Sequence, residues 1–157
     1  MSSSGLESCG RQLMFQDGGC TTCFRVSVQS ATDMTRLIEA VGTRMADFGF
    51  SNEEVFGVRL GLDEAIVNAN KHGHQGAWKT PVAVRYLVDH EGVVAHVEDQ
   101  GPGFDPTQVP DPLTAENLER DSGRGLLLMR TYMSGVCHNE RGNCVCLCKQ
   151  RNGVKRW

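Results

Sequence analysis

The sequence predicts an α+β fold, a two-layer sandwich in which a mixed β-sheet carries its helices on one face. Three observations lead there. Short alternating apolar and polar runs read as strands. Two long stretches with apolar residues at helical spacing separate the first strand from the second. The resulting order, β-α-α-β-β-loop-α-β-β, groups helices against a sheet instead of alternating single strands with single helices.

Residues 1 to about 21 are small and polar, with Gly18 and Gly19 near their end, and read as a flexible leader. Cys23 to Val28 alternates as a half-buried strand does. Met34, Leu37, Ile38, Val41, Met45 and Phe48 recur at helical spacing from Thr32 to Phe48, and Gly49 ends that helix. Ser51 and Glu54 form a capping box, which starts a second helix running to about Lys71 with Gly73 at its end. Strands at Val82–Val88 and Val93–Val97 flank the turn 89–92. The Gly-, Pro- and Asp-rich stretch after Asp99, to about Ser122, is long for a structureless connection and reads as a binding loop or lid. Gly125 to Met133 looks helical, and strands at about 136–140 and 144–150 turn at Arg141-Gly142-Asn143. The expected organisation is therefore a leader (1–21), one domain (22–152) and a short tail (153–157).

A chain of 157 residues is one ordinary domain, and 39% hydrophobic with 22% charged residues is normal for a globular one. A formal charge of −3 offers no general attraction to nucleic-acid phosphates, so nucleic acid is not an expected partner. No run of about 18 apolar residues is present, so no membrane span is expected. The first ten residues have neither a basic head nor an apolar stretch, unlike a secretory signal, which points to the cytoplasm. There the seven cysteines are expected to stay reduced, and their odd number argues against a complete disulfide framework.

Three motifs carry chemistry. On the second helix Glu64 and Asn68 lie four residues apart and share a face, with His72 continuing the row before Gly73. Alone, such a pair is more often solvated surface. The third strand ends in Asp99, followed by Gly101, Pro102, Gly103 and Phe104. A carboxylate ending an apolar strand needs a hydrogen-bond donor, which an adenine amino group could supply. The two glycines let backbone approach a ligand closely. The plain alternative is an ordinary turn. Finally Ser122, Gly123, Arg124, Gly125 and Leu126 open a helix, whose free amides and positive dipole end suit phosphate. Neither a P-loop nor a dinucleotide fingerprint is present.

In this order, with a long loop between the second and third, the motifs resemble the N, G1 and G2 boxes of the GHKL (histidine-kinase-like) ATPase superfamily. The resemblance covers about residues 23–150. The reading Glu-Ala-x-x-Asn-Ala-x-x-His-Gly at Glu64–Gly73 and the single domain are similar to the anti-sigma-factor serine kinases. The hairpin Asn139–Asn143 also looks like that family's closing turn. The resemblance implies a Bergerat-type ATP-binding fold with ATP and Mg²⁺ as cofactors. It implies Glu64 as general base, Asn68 as Mg²⁺ ligand and Asp99 as adenine anchor. Gly123, Arg124 and Gly125 would close over the phosphates, and residues 106–121 would be the lid. The nucleotide-binding set is Asn68, His72, Gly73, Asp99, Gly101, Gly103, Phe104, Gly123, Arg124, Gly125 and Leu126. It further implies a serine substrate on an anti-anti-sigma (STAS-type) partner, a sequestered sigma factor and a homodimer. The alternative is a nucleotide-binding switch that grips a partner without transferring phosphate, for which Glu64 would have less use.

The cysteines offer a third reading. Cys20 and Cys23 have metal or redox spacing, and Cys144, Cys146 and Cys148 alternate along one strand face, where they could supply thiolates to zinc. Against this, free cysteine commonly packs as a small apolar residue.

Overall fold

Phe24–Val28 forms the first strand (β1), and a helical hairpin follows. Ser30 caps α1 (Ala31–Asp47) by accepting from the Asp33 amide at 3.1 Å, and Gly49, at φ 79°, lets the chain leave the helix. The Ser51–Glu54 capping box forms as expected. The Glu54 amide donates to Ser51 Oγ at 3.2 Å, and the Ser51 amide donates to Glu54 Oε2 at 2.8 Å. It starts α2 (Asn52–His74), which runs through Gly73 instead of ending there. The computed structural model describes residues 23–74, 76–105, 108 and 124–154. The leader, the proposed lid apart from Gln108, Gly123 and the last three residues of the tail lie outside the described residues.

β2 (Val82–Val88) and β3 (Gly92–Glu98) form a hairpin whose turn is fixed by Asp89 Oδ1, which accepts from the Glu91 and Gly92 amides at 2.8 and 3.1 Å. α3 (Arg124–Tyr132), β4 (Gly135–His138) and β5 (Cys144–Gln150) complete the order. The sheet runs β1-β2-β3-β5-β4. Every pairing among the described residues is antiparallel, which corrects the expected mixed sheet. The reason lies between β1 and β2. Two helices joined by a short connection run down and back, so the chain re-enters the sheet from the end it left.

Alternation sorts the sheet's side chains. Val82, Val84, Tyr86 and Val88, with Val93, Ala95, Val97, Val145 and Leu147, face the helices. There they meet Leu37, Val41 and Met45 of α1, Leu62 and Ile66 of α2, and Met129 of α3. Val94, Cys146 and Cys148 form a second, smaller cluster with Cys137 packed against it. No helix among the described residues is long and apolar enough to cross a membrane.

Candidate functional site

The antiparallel order brings five chain ends to one edge of the sandwich: the C-terminal ends of α2, β3 and β4, and the starts of α3 and β5. They enclose a cavity of about 590 Å³ lined by Glu64, Asn68, Lys71, His72, Asp99, Phe104, Arg124, Gly125, Leu126, His138, Asn143 and Cys144, among others. Eight of the residues singled out from sequence therefore share one space. They come from three segments separated by long stretches of chain.

How α3 reaches this place is a matter of side-chain size. Gly57, Gly61, Glu64 and Asn68 lie on one row of α2. A Cβ at Gly57 would stand 3.2 Å from the Tyr132 Cβ, and one at Gly61 would stand 3.1 Å from Met133 Sδ. The bare backbone there lets the end of α3 settle onto α2. The helix start then arrives over the polar half of the same row, where a Cβ at Gly125 would lie 2.5 Å from Glu64 Oε2 and 3.2 Å from Asn68 Nδ2. Gly57 and Gly61, spaced four apart in a helix, were the sequence signal for this close approach. It went unread because glycine in a helix is more often only a weak point.

Asp99 is buried, and its Oδ1 accepts from the Gly101 amide at 2.7 Å. No described residue donates to its Oδ2. Gly73 and Gly101 sit against this carboxylate. A Cβ on Gly73 would fall 2.5 Å from Asp99 Oδ1, and one on Gly101 would fall 2.6 Å from the Gly73 Cα. Gly73 is thus a packing requirement inside α2 and not its terminator. Gly103 lies in the same loop and packs on the hairpin turn, without lining the cavity. Gly123 falls outside the described residues.

The electrostatics differ around the cavity. Burial, with a second contribution from Asp63, pushes the Glu64 carboxyl above the usual carboxylate range. Burial and the nearby Arg130 lower the His138 imidazole, so it is neutral near pH 7. Its ring meets Phe104 edge-on, with centroids 5.4 Å apart, and His72 approaches the same Phe104 ring at 6.4 Å. Sequence reasoning missed His138, Lys71, Asn143 and Cys144 as cavity residues. The hairpin to which His138, Asn143 and Cys144 belong was noticed, but nothing local says that it folds back over Asp99.

The cysteines are corrected in part. Cys144 and Cys146 are free thiols, whereas Cys148 is disulfide-bonded, against the expectation that all stay reduced. Cys146 and Cys148 are buried and pack as small apolar side chains. Among the described residues, no group of three or more His, Cys, Asp or Glu side chains could hold a metal ion. Cys20 lies outside the described residues.

Residues 27–149 match the family model described as the histidine kinase-like ATPase domain. The chain is 30% identical over 126 residues to the serine-protein kinase RsbW of Bacillus velezensis, covering 75% of this chain and 76% of that protein. It is 29% identical to RsbW of Bacillus subtilis over the same length and shares. It is 28% identical over 118 residues to the serine/threonine-protein kinase BtrW of Bordetella bronchiseptica, covering 74% of this chain and 81% of that one.

Proposed function

Because the chain belongs to the histidine kinase-like ATPase domain family, we propose that it is an ATP-dependent protein serine kinase. Its substrate would be a serine on a STAS-type anti-anti-sigma partner, and it would also sequester a sigma factor. The observation that carries this reading is the meeting of Glu64, Asn68, Asp99 and the start of α3 in one cavity. The names of the RsbW and BtrW relatives support the reaction class. The partner, the sigma factor, a homodimeric state and a cytoplasmic location follow from the resemblance to anti-sigma-factor kinases.

In this reading each residue has a role that its setting suits. Asp99 Oδ2 accepts a hydrogen from the adenine amino group, while Gly101 holds Oδ1 in place. His72, Phe104 and Leu126 shape the wall beside the nucleotide. The first-turn amides of α3 and the Arg124 guanidinium face the phosphates, where a helix start and a cation both favour negative charge. Gly123 would extend the same loop.

The donor set fits Mg²⁺. The Asn68 amide is a hard oxygen ligand, and the absence of a side chain at Gly125 leaves space beside it that a Cβ would fill. When bound, the ion neutralises charge on the phosphates. Glu64 accepts the proton of the attacking serine hydroxyl, and burial, which raises its pKa, makes the carboxylate a better proton acceptor. Phosphoryl transfer asks mainly for positioning and charge stabilisation, so one base, one metal ligand and a cradle of amides suffice. Glu64 next to Asn68 favours a kinase over a switch that only binds nucleotide.

Calorimetry with ATP and ADP, with and without Mg²⁺, on wild type and Asn68→Ala tests the site. Mg²⁺-dependent binding lost in the variant is expected, and no binding to either nucleotide would remove the central claim. Incubating wild type and Glu64→Ala with ATP and a STAS-type protein then tests the chemistry. A loss on the order of 10²–10⁴-fold in partner phosphorylation is expected. Phosphorylation at the wild-type rate would show that Glu64 is not the base.

A further inference from the structure

The Gly101 amide holds the Asp99 carboxylate, and the Asp99 backbone is held in turn by the hairpin between β4 and β5. The Asp99 amide donates to the Asn143 carbonyl at 2.9 Å, and Asn143 Nδ2 donates back to the Asp99 carbonyl at 3.0 Å, across 44 residues of sequence. Asn143 is itself buried and fixed. Its Oδ1 accepts from Asn139 Nδ2 at 2.9 Å, and its amide donates to Asn139 Oδ1 at 3.1 Å. The Cys144 amide donates to the same Asn139 oxygen at 3.1 Å, so one asparagine pair organises the whole turn.

The rest of the Asp99 loop is clasped by the same hairpin. Arg141 Nη2 donates to the Gly101 carbonyl at 3.3 Å. A Cβ on Gly103 would overlap the Arg141 carbonyl, and one on Gly142 would overlap the Phe104 carbonyl, so the two backbones pass with no side chain between them. Both glycines have positive φ, 78° and 72°, which favours residues without a Cβ. His138 on β4 closes the contact against Phe104.

We propose that Asn143 is a positioning residue for nucleobase recognition: its carboxamide locks the Asp99 backbone so that the carboxylate presents a fixed acceptor to the adenine amino group. This rests on the reading that the cavity binds ATP through Asp99. The physical argument is preorganisation. A base edge is read by one or two hydrogen bonds, and a small displacement of the acceptor costs affinity and discrimination without touching phosphate chemistry. Asn143 is suited to this because its side chain offers a donor and an acceptor at once, and both are used.

The test is Asn143→Asp, which keeps size but removes the Nδ2 donor and places a carboxylate against the Asp99 carbonyl. Binding of ATP and of inosine triphosphate, whose base lacks the amino group, is measured alongside KM and kcat for phosphorylation. The ATP Kd and KM are expected to rise on the order of tenfold, with the preference for ATP over inosine triphosphate reduced and the loss absent from kcat. Asn139→Ser, which removes the group that orients Asn143, is expected to move the same quantities in the same direction and serves if the first variant does not fold. Asp99→Asn separates the two levels. If it retains ATP affinity and base preference, the base-reading role of Asp99 fails. If it loses both while folded Asn143→Asp and Asn139→Ser retain both, the positioning role of Asn143 is overturned.

Discussion

The substitution Gly125→Ala sets fold stability against catalysis in a way the structure makes calculable. The added Cβ would lie 2.5 Å from Glu64 Oε2, and ordinary contact begins near 3.4 Å, so the carboxylate must retreat by about 0.9 Å. That atom ends a flexible side chain, which makes the retreat cheap in folding energy. Alanine also favours the helix over glycine by at most about 1 kcal/mol. Stability should therefore hold or rise slightly. Catalysis should not, because a displacement of about 1 Å of a reacting group can cost roughly 100-fold. The assay pairs thermal unfolding of Gly125→Ala with its single-turnover phosphorylation of a STAS-type partner at saturating ATP. A melting temperature at or above wild type with phosphorylation slowed on the order of 100-fold is expected. A folded variant that works at the wild-type rate would refute the idea that the start of α3 sets the position of Glu64.

Two further outcomes follow, one from a carboxylate away from the cavity and one from a buried thiol. Burial alone would raise the Glu54 carboxyl, but hydrogen bonds from the Asn152 amide at 2.6 Å and from Ser51 outweigh it and hold the pKa below 4.5. A carboxylate with a depressed folded pKa contributes stability above its unfolded pKa and loses it as pH falls through the folded one. Glu54→Ala should thus destabilise by about 1–3 kcal/mol at pH 7, with the deficit shrinking below about pH 4; a pH-independent deficit in urea unfolding would contradict this. Burial, reinforced by Glu98, pushes the Cys144 thiol up to about 11, and burial with Cys137 and Cys144 pushes Cys146 up to about 12. Since the thiolate is the reactive form and Cys146 is buried, Cys146 should resist a thiol-specific disulfide reagent at pH 8 until the protein unfolds, and its rapid labelling in the native state would count against that burial.

Much of the framework around the cavity was legible from sequence because its signals are local. The Ser51–Glu54 box starts α2 where the residues say it should, since a cap acts across three positions. Glu64 and Asn68 share a face by helical geometry alone, and Asp99 ends β3 with glycines behind it. Gly73 misled, because a glycine near a helix end usually terminates it. Here α2 runs on to His74, and the missing side chain makes room for Asp99 instead.

What the sequence by itself determined was the order of elements, their caps and the polar residue types that meet around the cavity, because periodicity and hydrogen-bonding capacity are properties of short segments. Tertiary structure alone decided that the sheet is wholly antiparallel, that Gly57 and Gly61 seat α3 over Glu64, and that Asn143 ties down Asp99. Those contacts join residues far apart in the chain. They depend on which surfaces fit at close range and which buried polar groups find partners, and neither can be read within a local window.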